Sequence, residues 1–252
     1  MTLDLPASKK VYIASDQHLG IPNYQDSLLR EKKFVQWLDT IKKYAHNLFL
    51  LCDFFDFLFE YKTVVPKGFV RVLGKLAELK DSGVDIHFFV GNHDLWMRDY
   101  FEIELGIPVY HEPKEFIIND KVFLIGHGDG LGPGDKGYKR MKRVFTNPIS
   151  KWLYRWLHPD LGMKLGVYLS TKNKLISGDE DAKFLGENDE WLVQYCKRKL
   201  ASKHYDYFLF GHRHLPMTIQ LNENSTYINT GDWITHFTFA VFNGGKTELK
   251  NA

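Results

Sequence analysis

Seven side chains of the types that bind metal ions follow strand-like apolar runs, in five short motifs. These residues are Asp16, His18, Asp53, Asn92, His127, His212 and His214. Because parallel-sheet proteins gather their sites at the carboxyl ends of strands, residues from five distant places can converge on one spot. A mixture of carboxylate, imidazole and amide ligands suits two divalent ions, of which manganese is one example. The sequence therefore predicts a dinuclear metal site.

The spacing within the motifs predicts how the two ions are shared. Asp16 and His18 lie two residues apart at a strand end, so we expect both on one face of the sheet, and His212 and His214 repeat that spacing. Asp53 offers a carboxylate that can bridge two ions. We expect one ion to be held by Asp16, His18, Asp53 and His214 and the other by Asp53, Asn92, His127 and His212.

Two ions about 3.5–4 Å apart acidify a shared water and stabilise the attacking and leaving oxygens of an in-line displacement. Hydrolysis of a phosphoester or pyrophosphate is the natural use of such a pair. His93 lies beside Asn92, so we expect these two residues at the reacting phosphate. His93 is predicted to reach the leaving oxygen or a phosphate oxygen, oriented by Asp94.

Each motif taken alone also has a plainer interpretation. Gly91-Asn92-His93-Asp94 could be an ordinary polar turn, and Gly211-His212-Arg213-His214 could be a satisfied loop pair. The ordered set, with each motif after its own strand, is much more specific than any member.

Alternating strands and helices in the first half predict a largely parallel sheet with right-handed crossovers. The expected strands are 10–15, 47–52 and 84–90, and the expected helices are 25–44 and 66–81, the second with Pro66 in its first turn. Strands expected at 115–118, 122–125, 207–210, 217–221, 226–229, 237–242 and 246–249 make the second half antiparallel or mixed. A further helix is expected at 179–202. We therefore predict an α/β fold with two sheets face to face and helices outside.

The segment 136–176 is predicted to be a helical cap inserted into a single domain of residues 1–252. It carries ten Lys/Arg and one acidic residue, a net charge of +9 in a chain whose formal net charge is +2. The aromatic residues expected to be exposed on it are Tyr138, Phe145, Trp152, Tyr154, Trp156 and Tyr168. Aromatic side chains beside cations suit an anionic membrane surface, nucleic acid or an ordinary solvated helix face.

The rest of the composition indicates the cellular compartment of the protein. Two cysteines, Cys52 and Cys196, imply no disulfide framework and fit a reducing compartment. The first ten residues contain no apolar signal core, and no run of eighteen apolar residues is present. We expect a cytoplasmic protein that can still touch a membrane surface.

The five motifs, in this order, resemble those of the calcineurin-like metallophosphoesterases, over essentially the whole chain outside the cap. Within that superfamily the chain is similar to the enzymes that cleave UDP-2,3-diacylglucosamine in the lipid A pathway. The further likenesses are the cap after Gly126-His127-Gly128-Asp129, the positions of Asp135 and Tyr138, and the turn Gly231-Asp232-Trp233. The resemblance implies a four-layer α/β/β/α sandwich of two mixed sheets with an inserted helical cap.

The resemblance also implies an activity and a substrate. It implies hydrolysis at the α-phosphate of UDP-2,3-diacylglucosamine, with manganese as the usual metal, to give UMP and 2,3-diacylglucosamine 1-phosphate (lipid X). The cap would hold the acyl chains. The residues implied in substrate contact, besides Asn92 and His93, are Asp135, Tyr138, Ser170, Asn173 and Lys174.

Two departures from the family pattern point to a different branch or a different substrate. Cys52 stands where the family usually has Gly, and His93 stands where its best-known branch has Arg. The alternatives are a phosphodiesterase or phosphatase of soluble substrates, a nuclease that binds DNA through Lys139, Arg140, Lys142 and Arg143, and a scaffold without activity.

Overall fold

The computed structural model describes residues 1–133, 136–177 and 183–252, and the side chains of all of these except 171–177. Its strands are β1 (Thr2–Leu3), β2 (Lys10–Ala14), β3 (Ala45–Leu51), β4 (Asp85–Phe89), β5 (Val109–Tyr110), β6 (Lys114–Ile118), β7 (Lys121–Ile125), β8 (Tyr207–Phe210), β9 (Pro216–Asn222), β10 (Ser225–Thr230), β11 (Thr238–Phe242) and β12 (Thr247–Asn251). Its helices are α1 (Tyr24–Lys42), α2 (Val70–Asp81), α3 (Tyr100–Leu105), α4 (Lys136–Thr146), α5 (Pro148–Arg155), α6 (Pro159–Ser177) and α7 (Trp191–Leu200).

The strands form two six-stranded mixed sheets. One has the order β12-β11-β2-β3-β4-β5, in which β2 to β5 are parallel and β11 is antiparallel to β2 and β12. The other has the order β1-β6-β7-β8-β10-β9, in which β7, β8 and β10 are parallel. Parallel neighbours end at the same edge, so the loops after β2, β3, β4, β7 and β8 can meet there.

Alternation along the strands divides the core into layers. In β3, Leu48 and Leu50 pack outward against α1 and α2, whereas Phe49 and Leu51 pack inward against the other sheet. Residues of α7 pack against Phe208 and Tyr227 on the outer face of the second sheet. The predicted α/β/β/α sandwich is confirmed.

Two helices begin later than predicted. Helix α2 begins at Val70 rather than Pro66, because Gly68 and Phe69 have φ values of +117° and +56° and cannot continue a right-handed helix. Glu31 of α1 accepts hydrogen bonds from the first amides of α2, at Arg71 and Val72. Helix α7 begins at Trp191 rather than near Asp179, and the described residues 183–190 before it are irregular. The short elements β1, β5 and α3 were not predicted.

Helices α4, α5 and α6 are called the cap helices below, and of these α5 and α6 pack closely on the loop after β3. A Cβ on Gly162 or Gly166 would overlap with the Tyr61 hydroxyl or the Phe57 ring. The prediction that all six cap aromatics are exposed is wrong for three of them. Tyr154 packs on Phe59 and Trp96, Phe145 packs on Trp96, and Tyr138 is half-buried. Trp152, Trp156 and Tyr168 are exposed.

Among the residues that the structure describes, we find no helix with the length and apolar character needed to cross a membrane.

Candidate metal centre

The seven predicted ligand residues lie together at the edge where the parallel strands end. Five of them have positive φ although none is glycine: Asp16, His18, Asp53, His212 and His214. We predicted that strand pleating would place residues two apart on one face of the sheet. This prediction is wrong. The convergence comes from left-handed turns just beyond the strands. Non-glycine residues in that region cost about 1–3 kcal/mol each and are concentrated at functional sites.

One group of donors joins the ends of β2, β3 and β8. Asp16, His18, Asp53 and His214 each place one ligand atom within 4.8 Å of the others. The Nε2 atoms of His18 and His214 are 3.0 Å apart, and Asp16 Oδ1 lies 3.4 Å from His214 Nε2. Asp16 Oδ1 is buried and accepts no hydrogen bond, which is the state of an acceptor positioned for a cation.

A second group shares Asp53 with the first. Asp53, His127 and His212 again lie within 4.8 Å of one another, and Asn92 Oδ1 is 3.1 Å from His127 Nε2. Asp53 Oδ2 lies 3.8 Å from His18 Nε2 and 3.4 Å from His127 Nε2, so it faces both groups. Asp53 Oδ1 accepts a hydrogen bond from the His93 amide.

Contacts outside the two groups orient the imidazoles. His127 Nδ1 donates to the Leu51 carbonyl at 2.9 Å, which leaves Nε2 as the free ligand atom. His18 Nδ1 lies 3.3 Å from the buried Asp56 carboxylate, so its Nε2 is likewise turned inward. Such partners fix the tautomer of a ligating histidine and raise its basicity.

The electrostatics of the site keep its carboxylates charged. Burial opposes the ionisation of Asp53, but His127, His93 and His18 hold its pKa well below the usual range. Burial likewise opposes the ionisation of Asp16, and His214 and His127 lower its pKa. Burial lowers the pKa of His127, but the charge of Asp53 outweighs it and raises that pKa to about 10. Positive charge is thus favoured at this point.

His93 is held differently from the prediction. Its Nδ1 donates to the Asp56 carbonyl at 2.6 Å and lies 3.2 Å from Ser170 Oγ of α6. Asp94 does not orient it. The Asp94 carboxylate accepts hydrogen bonds from the amides of Phe54 and Phe55, at 2.9 and 3.3 Å, and so supports the turn that carries Asp53. Burial and the charge of Asp53 raise the pKa of Asp94 well above its usual value.

The predicted substrate contacts fall in different places. Ser170 Oγ donates to the Asp56 carboxylate at 2.9 Å, and the Tyr138 hydroxyl donates to Asp129. Asp135 lies outside the described residues, and so do the side chains of Asn173 and Lys174 on α6.

Cys52 does not take part in either donor group. It is fully buried in the layer between the first sheet and its helices, and burial raises the pKa of its thiol well above the usual value. Its φ is not positive, so this position does not require glycine.

Sequence reasoning missed three residues that support the site. Asp56 joins His18, His93 and Ser170, and its place three residues after Asp53 could have indicated it. Arg30 of α1 donates to the carbonyls of His18 and Ile21. Arg213, between two predicted ligands, forms a buried ion pair with Glu190. Neither arginine carries a sequence signal for this role.

Comparison with known proteins gives similar relatives over most of the chain. UDP-2,3-diacylglucosamine hydrolase from Porphyromonas gingivalis is 38% identical over 96% of this chain and 97% of its own length. The proteins of that name from Ectopseudomonas mendocina and Edwardsiella ictaluri are 27% and 25% identical, over 80% and 81% of this chain and 83% and 78% of their own lengths. No protein-family model matches the chain. A solved structure from Streptococcus pneumoniae, described as a predicted phosphoesterase, aligns over 97% of this chain and 98% of its own, with 12% identity and a TM-score of 0.38.

Proposed function

The chain belongs to the family of UDP-2,3-diacylglucosamine hydrolases, and we propose that it cleaves the pyrophosphate of UDP-2,3-diacylglucosamine at the α-phosphate. The products are UMP and 2,3-diacylglucosamine 1-phosphate, an intermediate of lipid A biosynthesis. The observation that carries the proposal is the convergence of two donor groups on one shared carboxylate, Asp53, in a chain so similar to hydrolases of that name.

We propose that the two donor groups hold two divalent metal ions. The residues fit them, because carboxylate, imidazole and amide atoms converge and Asp16 Oδ1 has no hydrogen bond of its own. One ion would be held by Asp16, His18, Asp53 and His214 and the other by Asp53, Asn92, His127 and His212. Mixed oxygen and nitrogen donors suit manganese, which is our choice of metal.

The ions, when bound, would acidify water and neutralise charge on the phosphoryl oxygens. Residues of the chain itself would position the phosphate and hold the proton. Asn92 and His93 project from one turn that Asp94 and Asp53 brace, so both can be placed at the phosphate. Because the Asp56 carbonyl can only accept, His93 Nδ1 carries a hydrogen. Its Nε2 is then the atom that can hold or deliver a proton at the leaving oxygen.

We also propose that residues 136–176 are a cap, inserted in a single domain of residues 1–252, that serves the lipid half of the substrate. Phe57, Phe59, Trp96 and Tyr154 form a continuous aromatic cluster between α5 and the loop after β3. Ser170 on α6 connects this side directly to His93. The apolar residues exposed on α5 would contact the anionic inner membrane, which makes the protein peripheral rather than spanning.

The test is product release from UDP-2,3-diacylglucosamine with added manganese, beside an Asp53→Ala control. Release of UMP and lipid X by the wild type alone is the expected result. Cleavage of a generic aryl phosphodiester without turnover of the lipid substrate would keep the metal centre and reject the lipid substrate. If neither compound is cleaved and no manganese binds, both proposals are wrong.

A further inference from the structure

A cleft opens beside the metal centre, at the end farther from His93. The side chains around it include Tyr110, His111, Glu112, His127, Asp129 and Lys142. His127 belongs to the second donor group, so the inner end of the cleft is the metal centre itself.

The two ends of the metal centre differ in chemistry. At one end, His93 touches the ring of His18 and is bonded through Ser170 to the cap helices, beside the aromatic cluster of Phe57 and Trp96. At the other end, beyond His127, the cleft combines an imidazole, a carboxylate, an ammonium group and a tyrosine ring. A substrate cleaved at the ions must extend in both directions, with an apolar half at the first end and a polar half at the second.

The cleft side chains are positioned for a nucleotide. Lys142 Nζ lies 2.7 Å from Asp129 Oδ2, which holds the ammonium group at the side of the cleft near His127. His111 and Glu112 are exposed, and the carboxylate of Glu112 can accept hydrogen bonds from ribose hydroxyls, as acidic residues do in other nucleotide sites. The imidazole ring of His111 offers a flat face to a pyrimidine.

We propose that this cleft, through His111, Glu112 and Lys142, binds the nucleoside monophosphate half of the substrate. The proposal rests on the proposed function, because it assigns one half of that substrate to a place. In this arrangement Lys142 contacts the phosphate, Glu112 contacts the ribose and His111 contacts the base.

The test is calorimetric titration of the manganese-loaded protein with UMP and, separately, with inorganic phosphate. We expect the wild type to bind UMP at least about tenfold more tightly than inorganic phosphate, since only UMP carries a ribose and a base that can contact Glu112 and His111. Glu112→Ala and Lys142→Met should each weaken UMP binding by about tenfold, as expected when a hydrogen bond to a charged group is lost. Arg140→Met, an exposed cation on the same helix α4, is the matched control and should leave UMP affinity unchanged.

The outcomes separate this proposal from the proposed function. If the wild type releases UMP from the lipid substrate but UMP affinity stays within about twofold in both cleft variants, the cleft assignment is wrong and the function stands. Equal wild-type affinity for UMP and inorganic phosphate would also overturn the assignment. If UMP binds in the cleft and the lipid substrate is not cleaved, the nucleotide site stands and the lipid substrate is rejected.

Discussion

Single glycines determine how closely the loops of the metal centre approach one another. A Cβ on Gly91 would overlap with the Oδ1 and the backbone N of Asp53, and a Cβ on Gly211 would overlap with Asp16 Oδ2 and with Ser15. In both places the obstruction is a proposed ligand or its backbone, which is braced on several sides and cannot give way. The glycine therefore permits the close packing of two ligand loops.

Gly91→Ala should lower manganese affinity by tenfold or more and abolish most of the turnover, because Asp53 must move. Gly74→Ala is the matched control. Gly74 lies within α2 with no atom near its missing Cβ, so alanine there should raise the free energy of unfolding by about 0.5–1 kcal/mol. Metal titration and thermal unfolding of both variants measure the two effects. Normal manganese binding by Gly91→Ala would show that Asp53 is not required in its observed position.

His93 is expected to serve catalysis and not metal binding. His93→Ala should lower kcat by roughly 10²–10⁴-fold, the usual contribution of a general acid or base, while manganese affinity stays within a few-fold, because His93 is outside the two proposed ligand sets. Asp94→Asn should behave differently and weaken manganese binding, since Asp94 supports the Asp53 turn. Equal metal affinities in the two variants would contradict these separate roles.

At the scale of elements, an ion pair joins the loop after β8 to the segment that leads into α7. Arg213 and Glu190 are both buried, with Nε–Oε2 and Nη2–Oε1 distances of 3.1 and 3.2 Å. Arg213 also donates to the Lys183 carbonyl, and Glu190 accepts from the Leu185 amide. The residues that return from the cap helices are thereby fixed to the turn that carries His212 and His214.

Arg213→Met should destabilise the fold by about 3–5 kcal/mol, because it leaves Glu190 charged and unpaired in the interior. Glu190→Leu should destabilise the fold by a similar amount, because it leaves Arg213 charged and unpaired. In the double variant neither charge remains, so its loss of unfolding free energy should be well below the sum of the two single losses. Denaturant unfolding of the four proteins gives the coupling free energy. Additive losses would mean that the pair acts only through separate contacts.

The elements themselves show what the sequence could and could not predict. Apolar patterning was sufficient for β2, β3, β4 and α1, because both faces of these strands and one face of α1 lie in the core. The start of α2 depends on left-handed conformations at Gly68 and Phe69 and on a cap supplied by Glu31 from another helix, and none of these is a local pattern. The proposed ligand residues were evident from their types. Their left-handed turns were not, because the surrounding loops impose that conformation against local preference.

At the scale of the whole molecule, charge and apolar exposure are concentrated on the cap helices. The segment 136–176 carries a net charge of +9, which leaves −7 for the rest of the chain. On α5 and the turn after it, Ile149, Trp152, Leu153 and Trp156 are all exposed. By the proposed function, the cations would attract the molecule to an anionic surface, and the apolar side chains would then enter its interfacial layer. This distribution would orient the cap toward the membrane.

Replacing Trp152 and Trp156 together by alanine should weaken binding to vesicles of anionic phospholipid by roughly tenfold or more, since both rings would enter the interface. Turnover of the lipid substrate in vesicles should fall in proportion, whereas cleavage of a soluble aryl phosphodiester should not change. Trp156 is 75% exposed, and so is Tyr24 on α1, which makes Tyr24→Ala the matched control for loss of an exposed ring outside the cap. Raising the salt concentration should weaken wild-type binding, because the cations act over about one Debye length. Vesicle binding that survives the double substitution, or that falls equally in Tyr24→Ala, would place the membrane contact on another surface.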